Sequence, residues 1–307
     1  MVDSLISAYR LSSNRQFEAG WKAFQRWLPE DTAEITKTVF LSFLVSLKDL
    51  GLSHHTALSY RNSLKIPLDI AFKINTADPE FDLLAKSHFL ANPPTPKIVP
   101  SWSLDEAMSS LRSKGNLLDL PPEESFMGCL FLLAVASGNR ASEIANIDRR
   151  TIVWNRADGS ASLYVLPKFL YKNQNAKRTP PVINIPPLPD SPLCPVSAVR
   201  ALLSFPNPRG CIKLLVNPST FSPFLASSCR FWLCRAINWL LPDTIARAHD
   251  IRKNSFSMAW VRGIPIEEIM KRGFWSSSSV FFTRYFNPDQ ASSSTNFVAA
   301  GSSASAR

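Results

Sequence analysis

The sequence has no apolar run long enough to cross a bilayer. Its longest run, about Met127 to Ala136, is far shorter than the ~20 residues of a membrane-spanning helix, so we interpret it as a buried helix. The N-terminus lacks the charged-then-apolar pattern of a secretory signal. We therefore expect an intracellular protein with no membrane partner, located in the nucleus if its source is a eukaryote.

Paired cysteines and metal-binding motifs are also missing. The five cysteines are odd in number and show no CxxC spacing, and no histidine neighbours the nearest pair, Cys229 and Cys234. This pattern predicts free thiols rather than disulfides or a zinc site. The chain also has no P-loop and no internal repeat. We therefore expect neither a metal nor a cofactor.

Charged residues are few, at 19%, but their distribution is uneven. Residues 1–95 hold 10 Lys/Arg and 10 Asp/Glu, whereas residues 96–307 hold 24 and 14, so the whole net charge of +10 lies there. Such an excess favours a polyanion partner, although a merely soluble basic surface is the alternative. A length of 307 residues with 45% apolar content suits two globular domains.

Residues 1–92 are predicted to form a small bundle of helices. The helix starts are indicated by four signals: the capping boxes Ser13-x-x-Gln16 and Asp31-x-x-Glu34, then Ser53, then Asp78-Pro79. The third helix is expected to break or bend at Pro67. Residues 93–101 carry several prolines and are predicted to be an extended linker.

Residues 102–287 are predicted to be a second, mainly helical domain with a small antiparallel β-sheet. Ser103 caps its first helix, and the apolar helix stops at Ser137-Gly138. The β-prone runs are Thr151–Trp154, Ser162–Leu166 and Val182–Ile185. Residues 288–307 are Ser/Ala-rich and are expected to be a disordered tail.

A set of cationic and aromatic residues in this second domain suits metal-free attack on a phosphodiester. Arg140 and Arg252 offer guanidinium forks that match the two non-bridging oxygens of a phosphate. His249 lies three residues before Arg252, so both project from one helical face, and its imidazole can accept the proton of a phenol. Tyr285 is the candidate nucleophile. Each of these residues alone has an ordinary structural explanation.

Two further residues complete the set. Glu143 lies on the same helical face as Arg140 and is a candidate to orient a neighbouring cation. Trp275 can pack against the site and donate its N–H to a phosphate oxygen.

The order Arg140, His249-x-x-Arg252, Gly273-Phe-Trp275, Tyr285 resembles the tyrosine recombinase (phage-integrase-like) family, which cuts and rejoins DNA through a 3′-phosphotyrosyl bond. The resemblance implies a helical core-binding (SAM-like) domain followed by a tyrosine recombinase catalytic domain, acting as a metal-independent DNA strand transferase. In local segments such as Phe169-Leu-Tyr-Lys172-Asn-Gln and the serine run after Trp275, the chain is most similar to recombinases of eukaryotic DIRS/Ngaro or Crypton mobile elements.

The resemblance also implies a general acid and an assembly. The family takes a lysine from a β-hairpin to protonate the leaving oxygen, and here Lys172 is favoured, with Lys168 as the alternative and Lys177 as a weaker choice. The implied partner is double-stranded DNA, bound by a homotetramer on paired sites and by a monomer in free solution. The alternatives are a type IB topoisomerase-like DNA-relaxing enzyme and a catalytically silent, domesticated DNA-binding protein.

Overall fold

The computed structural model describes residues 11–93, 102–175 and 177–287. The chain divides into two compact units, Met1–Ile98 and Val99–Arg307. The predicted linker, apart from Pro93, and the predicted tail lie outside the described residues. Within the described ranges, no helix has both the length and the apolar character of a membrane span.

The first unit is built from helices, which are α1 (Leu11–Trp27), α2 (Lys37–Asp49), α3 (His54–Phe72) and α4 (Pro79–Ala91). Its core is rich in phenylalanine, with Phe24, Phe40, Phe43 and Phe81 buried around Leu64. Several of these rings contact one another edge to face; the ring centroids of Phe24 and Phe43 lie 5.2 Å apart. Such pairs add to the stabilisation that apolar burial provides.

Two of the predicted helix starts are wrong. Ser13 lies inside α1 rather than at its N-terminus, and the Gln16 side chain donates instead to the hydroxyl of Ser59. Helix α2 begins after Thr36, not at Asp31, and the Thr36 hydroxyl accepts a hydrogen bond from the backbone N–H of Val39 at 3.4 Å. Neighbouring residues of the capping type therefore compete, and the capping signal alone does not choose between them.

The third helix start is confirmed, but the expected break is not. The Ser53 hydroxyl accepts a hydrogen bond from the backbone N–H of Thr56, at 3.2 Å. Helix α3 then continues through Pro67. Leu64 and Leu68 on either side are fully buried, so the packing of this face offsets the local cost of proline.

The second unit combines helices with a three-stranded antiparallel sheet. Its helices are α5 (Leu104–Ser113), α6 (Pro122–Ser137), α7 (Ala141–Ile144), α8 (Pro195–Ser204), α9 (Ala226–Leu240), α10 (Ala248–Val261), α11 (Ile266–Gly273) and α12 (Ser278–Arg284). The strands are β1 (Val153–Trp154), β2 (Ala161–Leu163) and β3 (Ile183–Ile185), in the order β1-β2-β3. The predicted fold class is confirmed, with strands shorter than expected.

Helix α6 is the centre of the second unit. It is apolar on all sides, almost wholly buried, and packs against α8, α9 and α10. It ends where predicted, because Gly138 adopts the left-handed conformation (φ 60°). A separate cluster of Phe256, Ile269, Trp275 and Phe281 joins α10, α11 and α12. The ends of α6 and α11 and the start of α10 frame the candidate site.

Candidate active site

Tyr285 directly follows α12, and its backbone forms hydrogen bonds through both its N–H and its carbonyl. Its N–H donates to the carbonyl of Phe281 at 2.8 Å, and its own carbonyl accepts from the Ser257 hydroxyl at 3.4 Å. The N–H of Asn287 donates to the same hydroxyl at 2.8 Å. The half-buried Tyr285 ring lies 4.5 Å from the Trp275 ring and 5.2 Å from His249, measured between centroids.

Arg252 is buried, with 2% of its surface exposed, and links two helix ends. Its two terminal nitrogens donate to the carbonyls of Gly138, which ends α6, and Gly273, the last residue of α11. A cation suits this position because helix C-termini carry partial negative charge. The prediction from sequence gave Arg252 a phosphate contact alone, whereas the structure adds this link between helices.

Aromatic rings surround the Arg252 guanidinium. Its central carbon lies 4.7 Å from the centroid of Trp275, 5.1 Å from Phe256 and 5.4 Å from Tyr285. Burial, followed by the nearby charge of Arg140, lowers the pKa of Arg252 to about 10. The side chain therefore stays protonated at neutral pH.

Arg140 reaches the same phenol from the N-terminus of α7. Glu143, itself 2% exposed, accepts from the Arg140 guanidinium at 2.7 Å and from its backbone N–H at 2.8 Å. Burial disfavours the charged guanidinium, but Glu143 and then Tyr285 outweigh it and raise the pKa of Arg140. The structure thus pairs Glu143 with one of the two candidate arginines.

His249 stands on the first turn of α10, one turn before Arg252, and is exposed. Partial burial by the surrounding protein, and then the charges of Arg252, Lys253, Arg140 and Lys172, lower the pKa of His249 to about 4. The imidazole is therefore neutral at physiological pH. A neutral imidazole beside a phenol can accept its proton.

The environment of Tyr285 favours loss of that proton. Burial alone opposes ionisation, but Arg252, the Trp275 N–H and Arg140 together hold the pKa of Tyr285 below its usual range. Trp275 is buried, and within the described part of the chain its indole N–H acts on the Tyr285 oxygen without forming a hydrogen bond of ordinary geometry. The geometry therefore collects two guanidiniums, one indole N–H and one neutral imidazole around a single phenol.

Lys172 lies in the connection between β2 and β3 and is exposed. Its ammonium is close enough to act on His249. Lys168 and Lys177 are exposed in the same connection. Of these three lysines, we retain Lys172 as the candidate general acid.

Three site residues were missed by the sequence reasoning. Asn173 and Arg178 donate to the carbonyls of Phe274 and Trp275, at 2.8 and 2.6 Å. Arg230, on α9, lines a cavity of about 220 Å³ together with Arg140, His249 and Arg252. Arginine and asparagine in a basic, polar stretch carry no spacing that would have identified them.

Several solved structures have a similar fold. A lambda integrase dimer bound to a COC′ core site matches with a TM-score of 0.59 and 13% identity, covering 94% of this chain and 75% of that one. The fold is that of the tyrosine recombinases. The Tn1549 transposon integrase in complex with circular intermediate DNA matches with a TM-score of 0.60 and 13% identity, covering 91% and 90% of the two chains.

A lambda integrase tetramer bound to a Holliday junction also matches, with a TM-score of 0.57 and 14% identity, over 94% of this chain and 75% of that one. No protein-family model matches the sequence, and no curated protein sequence matches it. The likeness to the tyrosine recombinases is therefore one of fold, at 13–14% sequence identity.

Proposed function

We propose that the protein is a DNA strand transferase that cuts and rejoins DNA through a 3′-phosphotyrosyl intermediate. The observation that carries this proposal is the phenol of Tyr285 between Arg140, Arg252, Trp275 and His249. Two guanidiniums and an indole N–H suit the charge that grows on a phosphodiester during attack. These groups supply the required cations themselves, so the proposed reaction is independent of metal.

In the proposed first step, the Tyr285 oxygen bonds to phosphorus while the bond from phosphorus to the 5′-oxygen breaks. His249 accepts the phenolic proton, and Lys172 donates a proton to the departing 5′-oxygen. Arg140 and Arg252 stabilise the non-bridging oxygens in the five-coordinate transition state. The new phosphotyrosyl bond retains the energy of the old one, so a second 5′-hydroxyl can reverse the step.

Double-stranded DNA is the proposed partner. The net positive charge of residues 96–307 favours a polyanion, and the integrases with similar folds are described on a core site, a Holliday junction and circular intermediate DNA. Exchange of two duplexes requires four active sites, so we propose a tetramer on paired DNA sites. The free protein is proposed to be a monomer.

We also propose that the protein serves a mobile element. The segments Phe169-Leu-Tyr-Lys172-Asn-Gln and Trp275 with its following serines resemble recombinases of DIRS/Ngaro or Crypton elements. A product of such an element would act in the nucleus of its host.

The test is capture of a covalent protein–DNA adduct. Nicked duplexes with a randomised central site are incubated with the protein, and adducts that survive denaturation are isolated and sequenced. Tyr285→Phe should abolish adducts while DNA affinity stays within a few-fold, because a single hydroxyl is lost. Tyr164→Phe, at an exposed tyrosine of the same unit, is the matched control and should retain them. Adducts that persist in Tyr285→Phe would contradict the assignment.

A further inference from the structure

The connection between β2 and β3 is fastened to the segment that carries Trp275. The side chain of Asn173 donates to the carbonyl of Phe274 at 2.8 Å, and that of Arg178 donates to the carbonyl of Trp275 at 2.6 Å. The Arg178 guanidinium also lies 4.2 Å from the centroid of the Phe274 ring. Two separate points of the connection therefore bind two consecutive peptide groups.

Lys172 lies between anchored neighbours. Tyr171, just before it, is 1% exposed, and its ring contacts that of Phe274 with centroids 5.6 Å apart. Asn173, just after it, makes the hydrogen bond to the Phe274 carbonyl. The Lys172 side chain itself is exposed. The backbone of the lysine is thus fixed, whereas its long side chain keeps the freedom to swing.

The anchoring segment has an unusual backbone that these contacts help to hold. Phe274 ends α11 in the left-handed conformation (φ 50°), which is unfavourable for a residue with a bulky side chain. Its ring is held between Tyr171 and Arg178. This turn directs the Trp275 ring back over Gly273, where a Cβ atom would lie 2.4 Å from the indole. The loop and the turn therefore depend on each other.

We propose that Asn173 and Arg178 are positioning residues for Lys172, which set the place of the general acid by tying its loop to the Phe274–Trp275 turn. The inference rests on the proposed function. Neither residue touches the reacting atoms in this scheme. Each acts through the backbone that carries Lys172.

The step that Lys172 serves can be isolated chemically. In the proposed cleavage, the bond between the Tyr285 oxygen and phosphorus forms, the bond from phosphorus to the 5′-oxygen breaks, and the Lys172 ammonium gives its proton to that oxygen. When sulfur replaces the bridging 5′-oxygen, the leaving group departs as a stable thiolate and needs no proton. A defect confined to the general acid is therefore rescued by the sulfur substrate.

The experiment compares single-turnover cleavage of an oxygen and a 5′-bridging phosphorothiolate duplex that carry the same captured site. Lys172→Ala should cleave the oxygen substrate about 10²–10⁴-fold more slowly than wild type, which is the usual contribution of acid–base catalysis. On the sulfur substrate its rate should recover to within about tenfold of the wild-type rate. Asn173→Ala and Arg178→Ala should each cleave the oxygen substrate about tenfold or more slowly than wild type, and their rates on the sulfur substrate should recover to within about tenfold of wild type. Arg178→Lys, which keeps the charge but loses the fork, should fall between Arg178→Ala and wild type.

Thr179→Ala is the matched control, since Thr179 is an exposed polar residue of the same loop, and it should cleave both substrates as wild type does. Equal losses on both substrates in the Asn173 and Arg178 variants would reveal a merely structural role and overturn the inference. So would wild-type rates on oxygen in both variants, or failure of sulfur to rescue Lys172→Ala. If Arg178→Ala does not fold, Asn173→Ala and Arg178→Lys test the positioning role in its place. Failure of the wild type on both substrates would instead refute the proposed function.

Discussion

Replacement of Arg252 by lysine should destabilise the second unit, quite apart from its effect on DNA cleavage. The guanidinium donates to the carbonyls of Gly138 and Gly273 at once, and it lies among aromatic rings with 2% of its surface exposed. Lysine keeps the charge and can reach one carbonyl, but a single ammonium does not reproduce a planar fork. One buried helix-end carbonyl is therefore left without its charged donor.

The expected cost follows from that lost bond. A hydrogen bond to a charged group contributes about 1.5–3 kcal/mol to stability, so we expect the free energy of unfolding to fall by about 2–3 kcal/mol. In a unit of roughly 200 residues, each kcal/mol lowers the melting temperature by about 2–4 °C. Arg252→Lys should therefore melt about 4–12 °C below wild type.

Differential scanning calorimetry of the full chain measures this shift. The control is Arg272→Lys, because Arg272 is exposed and pairs with Glu268 one turn away at 2.8 Å. That variant should change stability by about 0.5 kcal/mol or less. Equal melting temperatures for Arg252→Lys and wild type would refute the structural role of Arg252. If the role holds, cleavage by Arg252 variants must be measured below their own transition before any loss is assigned to chemistry.

Three further predictions concern stability, pH and assembly. Gly138→Ala should lower the free energy of unfolding by about 2–4 kcal/mol, since the new Cβ would lie 2.6 Å from the Phe256 ring and the backbone has φ +60°. Gly51→Ala is the control: with φ +69° and no atom within 4 Å of the new Cβ, it should lower the free energy of unfolding by only about 1–2 kcal/mol in the same melting assay. Because the pKa of His249 is lowered to about 4, the unfolded chain takes up a proton there before the folded chain does, and stability should fall from about pH 6.5 towards pH 4. In His249→Gln, the melting temperature should depend less on pH over that range than it does in wild type. Parallel plots of melting temperature against pH for the two proteins would contradict the lowered pKa. Sedimentation at micromolar concentration without DNA should give a monomer. A stable tetramer would show that the subunit interface forms without DNA.

The parts of the fold that follow from local chemistry could be predicted from the sequence. Ser53 and Ser103 each accept a hydrogen bond from the N–H three residues on, a signal contained within one helical turn. The end of α6 at Gly138 was equally local. The continuity of α3 through Pro67 was not, because burial against other helices decides it. The start of α2 was missed because Thr36 and Asp31 are both capping residues, and the sequence does not choose between them.

The candidate site divides in the same way. The spacing of His249 and Arg252 on one helical face could be read from the chain, and so could a role for Glu143 beside a cation, although which cation it binds could not. The partners of Arg252 and Arg178 could not. Arg252 binds a carbonyl 114 residues away, and Arg178 binds one 97 residues away. Backbone carbonyls are present at every position, so no residue type marks them as partners in advance.

Under the proposed function, a bound phosphodiester would change the basicity of His249. In the free protein, neighbouring cations add to burial in depressing the pKa of His249, and cations also lower that of Tyr285. A bound phosphodiester adds a negative charge beside the same arginines, which offsets part of their effect on both groups. The pKa of His249 should then rise towards neutrality, where it is a stronger base, at the moment when the phenol needs to lose its proton. Under the proposed function, the two arginines that would hold the phosphate therefore couple the basicity of His249 to substrate binding. The same phosphate raises the pKa of Tyr285, so it makes His249 a stronger base and Tyr285 a weaker acid at once.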